Sequence, residues 1–249
     1  MRIPAIIAVA LAFAIPCAAQ DAAAWLAVLD DAVQTTWYSG SDNAWWPSQN
    51  SFDDLIGAQD LQLGNGTYTT NGAELYLAGS TGTDTNLWYP YTNGDDFTFA
   101  MDIYPFMTDD DKTAGYCRIA AAGRANDAYF SHAIRATSVG TTGITFQAGL
   151  GSASAGGYDY VISATGYNNN QKYRVLHTVG DSGDGRKIKL FIDGAKIGET
   201  AIPTNYPTSS DFLRDVFSIG VNNADGAVDR IMYYTRALTD TEAAAKSSE

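Results

Sequence analysis

Lys187-Ile188-Lys189-Leu190-Phe191-Ile192-Asp193-Gly194-Ala195-Lys196-Ile197-Gly198-Glu199-Thr200 is the stretch from which the fold can be read. Ile188, Leu190 and Ile192 recur at every second position, the period of a strand with one buried face. Asp193-Gly194 supplies the two positive-φ positions of a type I′ turn, so the chain is expected to return through Ala195 to Thr200 as an antiparallel partner. Upstream, Tyr173 to Val179 alternates in the same way. Downstream, a proline-containing connection leads to Phe217-Ser218-Ile219-Gly220 and then to the tyrosine-rich run from Gly226 to Tyr234. Thr239 with Glu242 three residues on is a capping box, which predicts one terminal helical turn.

Working outward, the first half repeats the pattern. Phe97, Phe99, Met101 and Ile103 fall on one face of Phe97 to Pro105. Shorter strand candidates are Thr35 to Tyr38, Leu61 to Leu63, Gly66 to Thr70, Ala73 to Leu77, Gly115 to Ala122, Ala128 to Ala136, Gly143 to Leu150 and Tyr158 to Ala164. Gly, Asn and Ser separate them. Ser39 to Asp54 reads as a long polar loop. With 24 Gly, 15 Tyr and 45% hydrophobic residues in 249, the chain is expected to be all-β: a two-sheet antiparallel β-sandwich of the jelly-roll kind. No repeat and no compositional break divides it, so one domain is expected over residues 35–249.

Met1-Arg2, an apolar run from Ile3 to Ile15 and the small residues around Cys17 to Ala19 read as a signal peptide over residues 1–19. The protein is accordingly expected to be secreted (extracellular, periplasmic or at a cell surface), with no membrane insertion after cleavage. Residues 20–34, which contain Asp21 to Val33, are read as an N-terminal segment able to form a short helix. Cleavage leaves Cys117 as the only cysteine, so neither an intrachain disulfide nor a cysteine-rich metal site is expected. The net charge of −13 repels phosphates and argues against a nucleic-acid partner.

The terminal stretch resembles the laminin-G-like branch of the concanavalin A-like lectin/glucanase superfamily. Members end in a pattern of the kind Gly-x-Ile-Asp-Glu-Val-Arg-Ile-Tyr-Asn-Arg-Ala-Leu-Ser-x-x-Glu. Gly226, Asp229, Tyr234, Arg236, Ala237, Leu238 and Glu242 match it without a gap, and Leu190 to Gly194 is similar to the family's Leu-Tyr-x-Asp-Gly hairpin. One departure is Arg230, which replaces the acid that usually follows the motif aspartate. The resemblance implies a concanavalin A-like sandwich. It leaves function open, since such domains bind glycans, proteins or calcium, or act as spacers.

The catalytic acids of glucanase relatives lie two apart on one strand, near the spacing that a retaining pair needs. The glutamates past the signal peptide are Glu74, Glu199, Glu242 and Glu249, and none pairs in this way. His132 and His177 lack the surroundings of a lyase site, and the parity of His177 with Val175 and Val179 places it on a packed face. A non-catalytic role is therefore expected. Sugar recognition asks for aromatic platforms beside polar groups. Trp45 and Trp46, and Trp88, Tyr89 and Tyr91 with Asn93, have that composition. Calcium is the cofactor that the acidic turns suggest, with Asp109 and Asp111 or Asp181 and Asp184 as candidate ligands. The expected partner is a glycan or another extracellular or cell-surface molecule. The alternative is a structural or adhesive assembly component, with the N-terminal segment as an oligomerisation element.

Overall fold

Period-two sequences that expose one face have to be stacked in pairs, and the protein does this with two antiparallel sheets. The computed structural model describes residues 39–45, 54–56, 60–63, 68–70, 75–77, 85–90, 96–106, 117–122, 129–136, 143–151, 160–203, 216–221 and 226–248. The signal peptide, the 20–34 segment and the Thr35 to Tyr38 strand lie outside the described residues. Within the unit from Gly40 to Glu249, the strands are β1 (Asn43–Trp45), β2 (Gln62–Leu63), β3 (Tyr68–Thr70), β4 (Leu75–Leu77), β5 (Thr85–Pro90), β6 (Phe97–Pro105), β7 (Cys117–Ala122) and β8 (Tyr129–Ala136). They continue as β9 (Ile144–Gly151), β10 (Tyr160–Tyr167), β11 (Tyr173–Asp181), β12 (Arg186–Ile192), β13 (Ala195–Ala201), β14 (Val216–Val221) and β15 (Gly226–Tyr234), followed by helix α1 (Asp240–Ser248).

One sheet runs β13-β12-β11-β6-β15-β4-β3, with β1 also paired to β15; the other runs β10-β9-β8-β7-β14-β5-β2. Asp193 and Gly194 have φ of 47° and 81°, so the β12–β13 hairpin is the turn that its sequence predicts. The inward faces meet in one core, to which the larger sheet gives Phe97, Phe99, Met101, Ile103, Val175, Val179, Ile188, Leu190 and Ile231. The smaller sheet gives Ile144, Phe146, Ala148, Leu150 and Ile162. His177 is fully buried on this inner face, in register with Phe99 and Leu190.

The larger sheet is also buried on its outer face, because the chain's end is laid across it. Thr98 pins this segment: its hydroxyl donates to the Arg236 carbonyl (2.9 Å) and accepts from the Leu238 amide (3.0 Å). Then α1 packs over β11, β12 and β13, whose outward Leu176 and Phe191 are fully buried. The capping box forms as expected: Glu242 accepts from the Thr239 amide (2.9 Å), and its own amide donates to the Thr239 hydroxyl (3.3 Å). Asp240 anchors the helix start to Lys189 and Lys196, each at 2.7 Å.

One sequence expectation changes here. Trp45 sits in a strand, not a loop: β1 is only three residues long, too short to show a period, and takes its shape from pairing with Ile231 to Tyr233. Trp88 and Tyr89 lie in β5, between β14 and β2.

Candidate functional site

β6 places Asp102 and Tyr104 at alternate positions on the outer side of the larger sheet, with Phe106 just past its end; Asp102 stands close to the C-terminal end of α1. Asp102 is in register with Arg174 of β11, and its carboxylate gathers three cations. Arg174 Nε donates to one oxygen. Arg230 Nε and Nη2 reach the other at 2.9 Å each, and Lys172 Nζ lies 3.1 Å from it. Burial would raise the pKa of this 1%-exposed acid, but Arg174, Arg230 and Lys172 together hold it below its ordinary value. An unpaired buried carboxylate would cost several kcal/mol, so the network as a whole determines whether Asp102 can sit here.

A bulge in β15 makes the network possible. Val228 faces Ile103 and Ile231 faces Met101, so one extra residue of β15 is fitted between them. Strict alternation would turn Asp229 and Arg230 to opposite faces. The bulge instead delivers both to the outer face, where Asp229 accepts from Lys172 Nζ at 2.8 Å and Arg230 meets Asp102. Gly226 starts the strand where a Cβ would come within 2.9 Å of the Tyr104 carbonyl. Lys172 is lowered by burial and raised more strongly by Asp102 and Asp229, so it remains an ammonium well into alkaline pH.

The turn before β11 positions Lys172. The Asn170 amide donates to the Pro105 carbonyl (2.9 Å), and the Tyr173 hydroxyl accepts from the Asn168 amide (2.8 Å). Beneath it, Phe146, Tyr167 and Tyr173 pack edge to face with centroids 5.1–5.3 Å apart. The result is an open pocket of about 400 Å³ lined by Asp102, Lys172, Arg174, Asp193, Arg230 and the two serines at the end of α1, Ser247 and Ser248. Tyr104 shares an adjoining hollow with Asp102 and Lys172 and is tilted against Phe106 at 4.8 Å, both rings being half-buried. An aromatic ring near fixed donors and acceptors is the composition of a surface that can take a polar ligand.

A laminin-G family model, described as the concanavalin A-like lectin/glucanases superfamily, matches residues 78–244, more than half of the chain. The chain belongs to the concanavalin A-like lectin/glucanase superfamily. No curated protein sequence matches it significantly. Among solved structures, this superfamily member is similar to the botulinum neurotoxin type G receptor binding domain (12% identity, TM-score 0.60, covering 84% of this chain and 51% of that one). It is also similar to Trypanosoma rangeli sialidase (15%, 0.59, 84% and 33%) and to the Ruminococcus gnavus IT-sialidase CBM40 bound to α2,3-sialyllactose (14%, 0.50, 75% and 97%). The chain spans about half the length of the botulinum domain. At these identities the likeness is one of fold.

The residues proposed from sequence fare differently in this concanavalin A-like domain. Trp45 is 0% exposed in the shared core, so it is a packing residue and no ligand platform. Trp88 and Tyr89 are placed by backbone register only, opposite Ser218 and Phe217. Trp46, Tyr91, Asn93, Asp109 and Asp111 lie outside the described residues. Asp181 and Asp184 do not suit calcium. Asp181 closes its own turn by accepting from the Gly183 (2.8 Å) and Gly185 (3.1 Å) amides, while Asp184 is neutralised by Lys187 and Lys189, both at 3.0 Å. A divalent ion there would face two ammonium groups. No three metal-ligating side chains converge among the described residues.

The sequence also gave no expectation of paired acids, yet Asp102 and Asp229 share Lys172 at 3.1 and 2.8 Å, which puts their oxygens within about 6 Å. That approaches the ~5–5.5 Å of a retaining glycosidase pair. The chemistry differs: Asp102 is sealed by cations on both oxygens and held ionised, so it can neither protonate a leaving group nor reach an anomeric carbon.

Proposed function

We propose that the chain is a secreted, non-catalytic, lectin-like domain that recognises carbohydrate at the pocket beside Tyr104 and Phe106. The observation that carries this reading is Tyr104, two residues from Asp102 on β6 and tilted against Phe106, near a pocket of about 400 Å³ lined by Asp102 and by the Lys172 and Arg230 that it orders. Superfamily membership and a glycan-bound neighbour of the same fold support it. Glycan-array binding followed by calorimetry, with and without calcium, tests it. Tyr104→Ala is expected to abolish or strongly weaken binding while Trp88→Ala leaves it intact. The reverse pattern would move the site to the smaller sheet. Release of reducing ends from any bound glycan would contradict the non-catalytic reading. Mass spectrometry of the exported chain's first residue tests secretion.

A second reading, adhesion between proteins, draws on Leu55 and Ile56, which are 42% and 43% exposed. Their turn is clamped by Asp54, which accepts from the Ala44 and Ile56 amides at 3.1 Å. A sedimentation coefficient that rises with concentration, and falls back in Leu55→Ser/Ile56→Ser, would favour it.

A further inference from the structure

Three of the chain's 15 Lys and Arg residues converge on one pocket of a molecule whose net charge is −13. Of the acids that balance them, Asp102 is 1% exposed and engaged on both oxygens, and Asp229 is 10% exposed against Lys172. The charged heads that a ligand meets on this wall are therefore Lys172, 42% exposed, and Arg230, 21% exposed. An ammonium has three N–H donors, and the two carboxylates take two of those on Lys172. Lys172 itself lines the pocket. Asp193 stands on the hairpin rim of the same pocket, with one oxygen accepting from the Arg174 amide at 2.8 Å.

From this we infer that the ligand unit seated here carries a single carboxylate, as in a uronic or ulosonic acid, which Lys172 and Arg230 hold. The inference rests on the carbohydrate reading above and adds the sugar's charge. Charge-assisted bonds from an ammonium and a guanidinium exceed neutral hydrogen bonds, and a carboxylate matches both geometries. The field of the whole molecule sets an upper limit. A chain at −13 repels a dense polyanion, so isolated carboxylates are accepted and polysulfated or polyphosphorylated chains are not. Asp102 and Asp229 act as positioning residues that fix the two cations without touching the ligand.

The test compares acid-terminated glycans with the same glycans after reduction of the carboxyl to an alcohol, titrated against the full chain. The acid forms are expected to bind about tenfold tighter or more, and Lys172→Gln to erase that preference while Lys172→Arg retains it. Asp193→Asn gives an effect of opposite sign. It keeps the hairpin, because Asn-Gly is a favoured type I′ pair, and removes a like charge from the rim. Acid ligands should therefore bind it more tightly, and gain more from the change than reduced ligands do. Equal affinity for acid and reduced forms, or weaker acid binding by Asp193→Asn, overturns the inference and leaves the carbohydrate reading standing. Absence of binding by either form overturns both.

Discussion

Arg230 and Asp102 stand 128 positions apart in sequence, yet two nitrogens of the one lie 2.9 Å from a single oxygen of the other. Where the motif that the terminal stretch resembles has an acid, this chain has a cation, and the buried carboxylate one strand away is its counterpart. Arg230 thereby joins Lys172 and Arg174 as a third cation beside Asp102 and Asp229.

Asp102→Asn should destabilise the fold by about 3–5 kcal/mol, the usual consequence of leaving buried charges without their partner. Urea unfolding of the variant checks this, with a lower midpoint expected at unchanged slope.

Stability should fall on acidification. Asp102, Asp184, Glu199, Asp240 and Glu242 all titrate below their ordinary values, Glu242 at about 2 because Arg236 and Thr239 bond to its carboxylate. A depressed folded value means that stabilisation is complete above the unfolded value, about 4 to 4.5, and is lost as pH drops through the folded one. The melting temperature should thus be level from pH 7 to about 5 and decline between about 4.5 and 2. Glu242→Gln should make that decline shallower.

Trp45→Ala should cost about 3–5 kcal/mol through the cavity that it opens. Because the ring belongs to the inner face, glycan affinity measured on folded Trp45→Phe should match that of the parent.

Gly180→Ala should be destabilising by more than about 1 kcal/mol. The residue has φ of +127°, and its Cβ would stand 2.4 Å from the Asp96 side chain. Adding Asp96→Ala should relieve only the contacts with the carboxyl, because the Asp96 Cβ would still stand 2.6 Å away; the denaturant midpoint should therefore return in small part only.

Local signals were legible in the sequence. Asp193-Gly194 names its turn because φ is a property of the residues themselves, and Thr239 with Glu242 names its cap for the same reason. The alternation from Phe97 to Ile103 identifies β6. What escaped reading depends on partners far along the chain. Trp45 looked like a loop aromatic because its strand exists only through β15. Lys172 and Asp102 drew no reading because their partners lie on other strands, and Arg230 stood only as a departure from the motif, because a bulge between Val228 and Ile231 reverses the parity from which facing is inferred. The Tyr104-Pro105-Phe106 stretch offered a signal: two aromatics at even spacing from Asp102, at the end of a clear strand.

Ser248 lines the pocket's mouth and is the last residue of α1. Any peptide joined after Glu249, an affinity handle included, would leave the molecule at that mouth and compete for its space. Ligand screens on this domain should therefore carry their handle at the opposite terminus, or a true binder could be scored as silent.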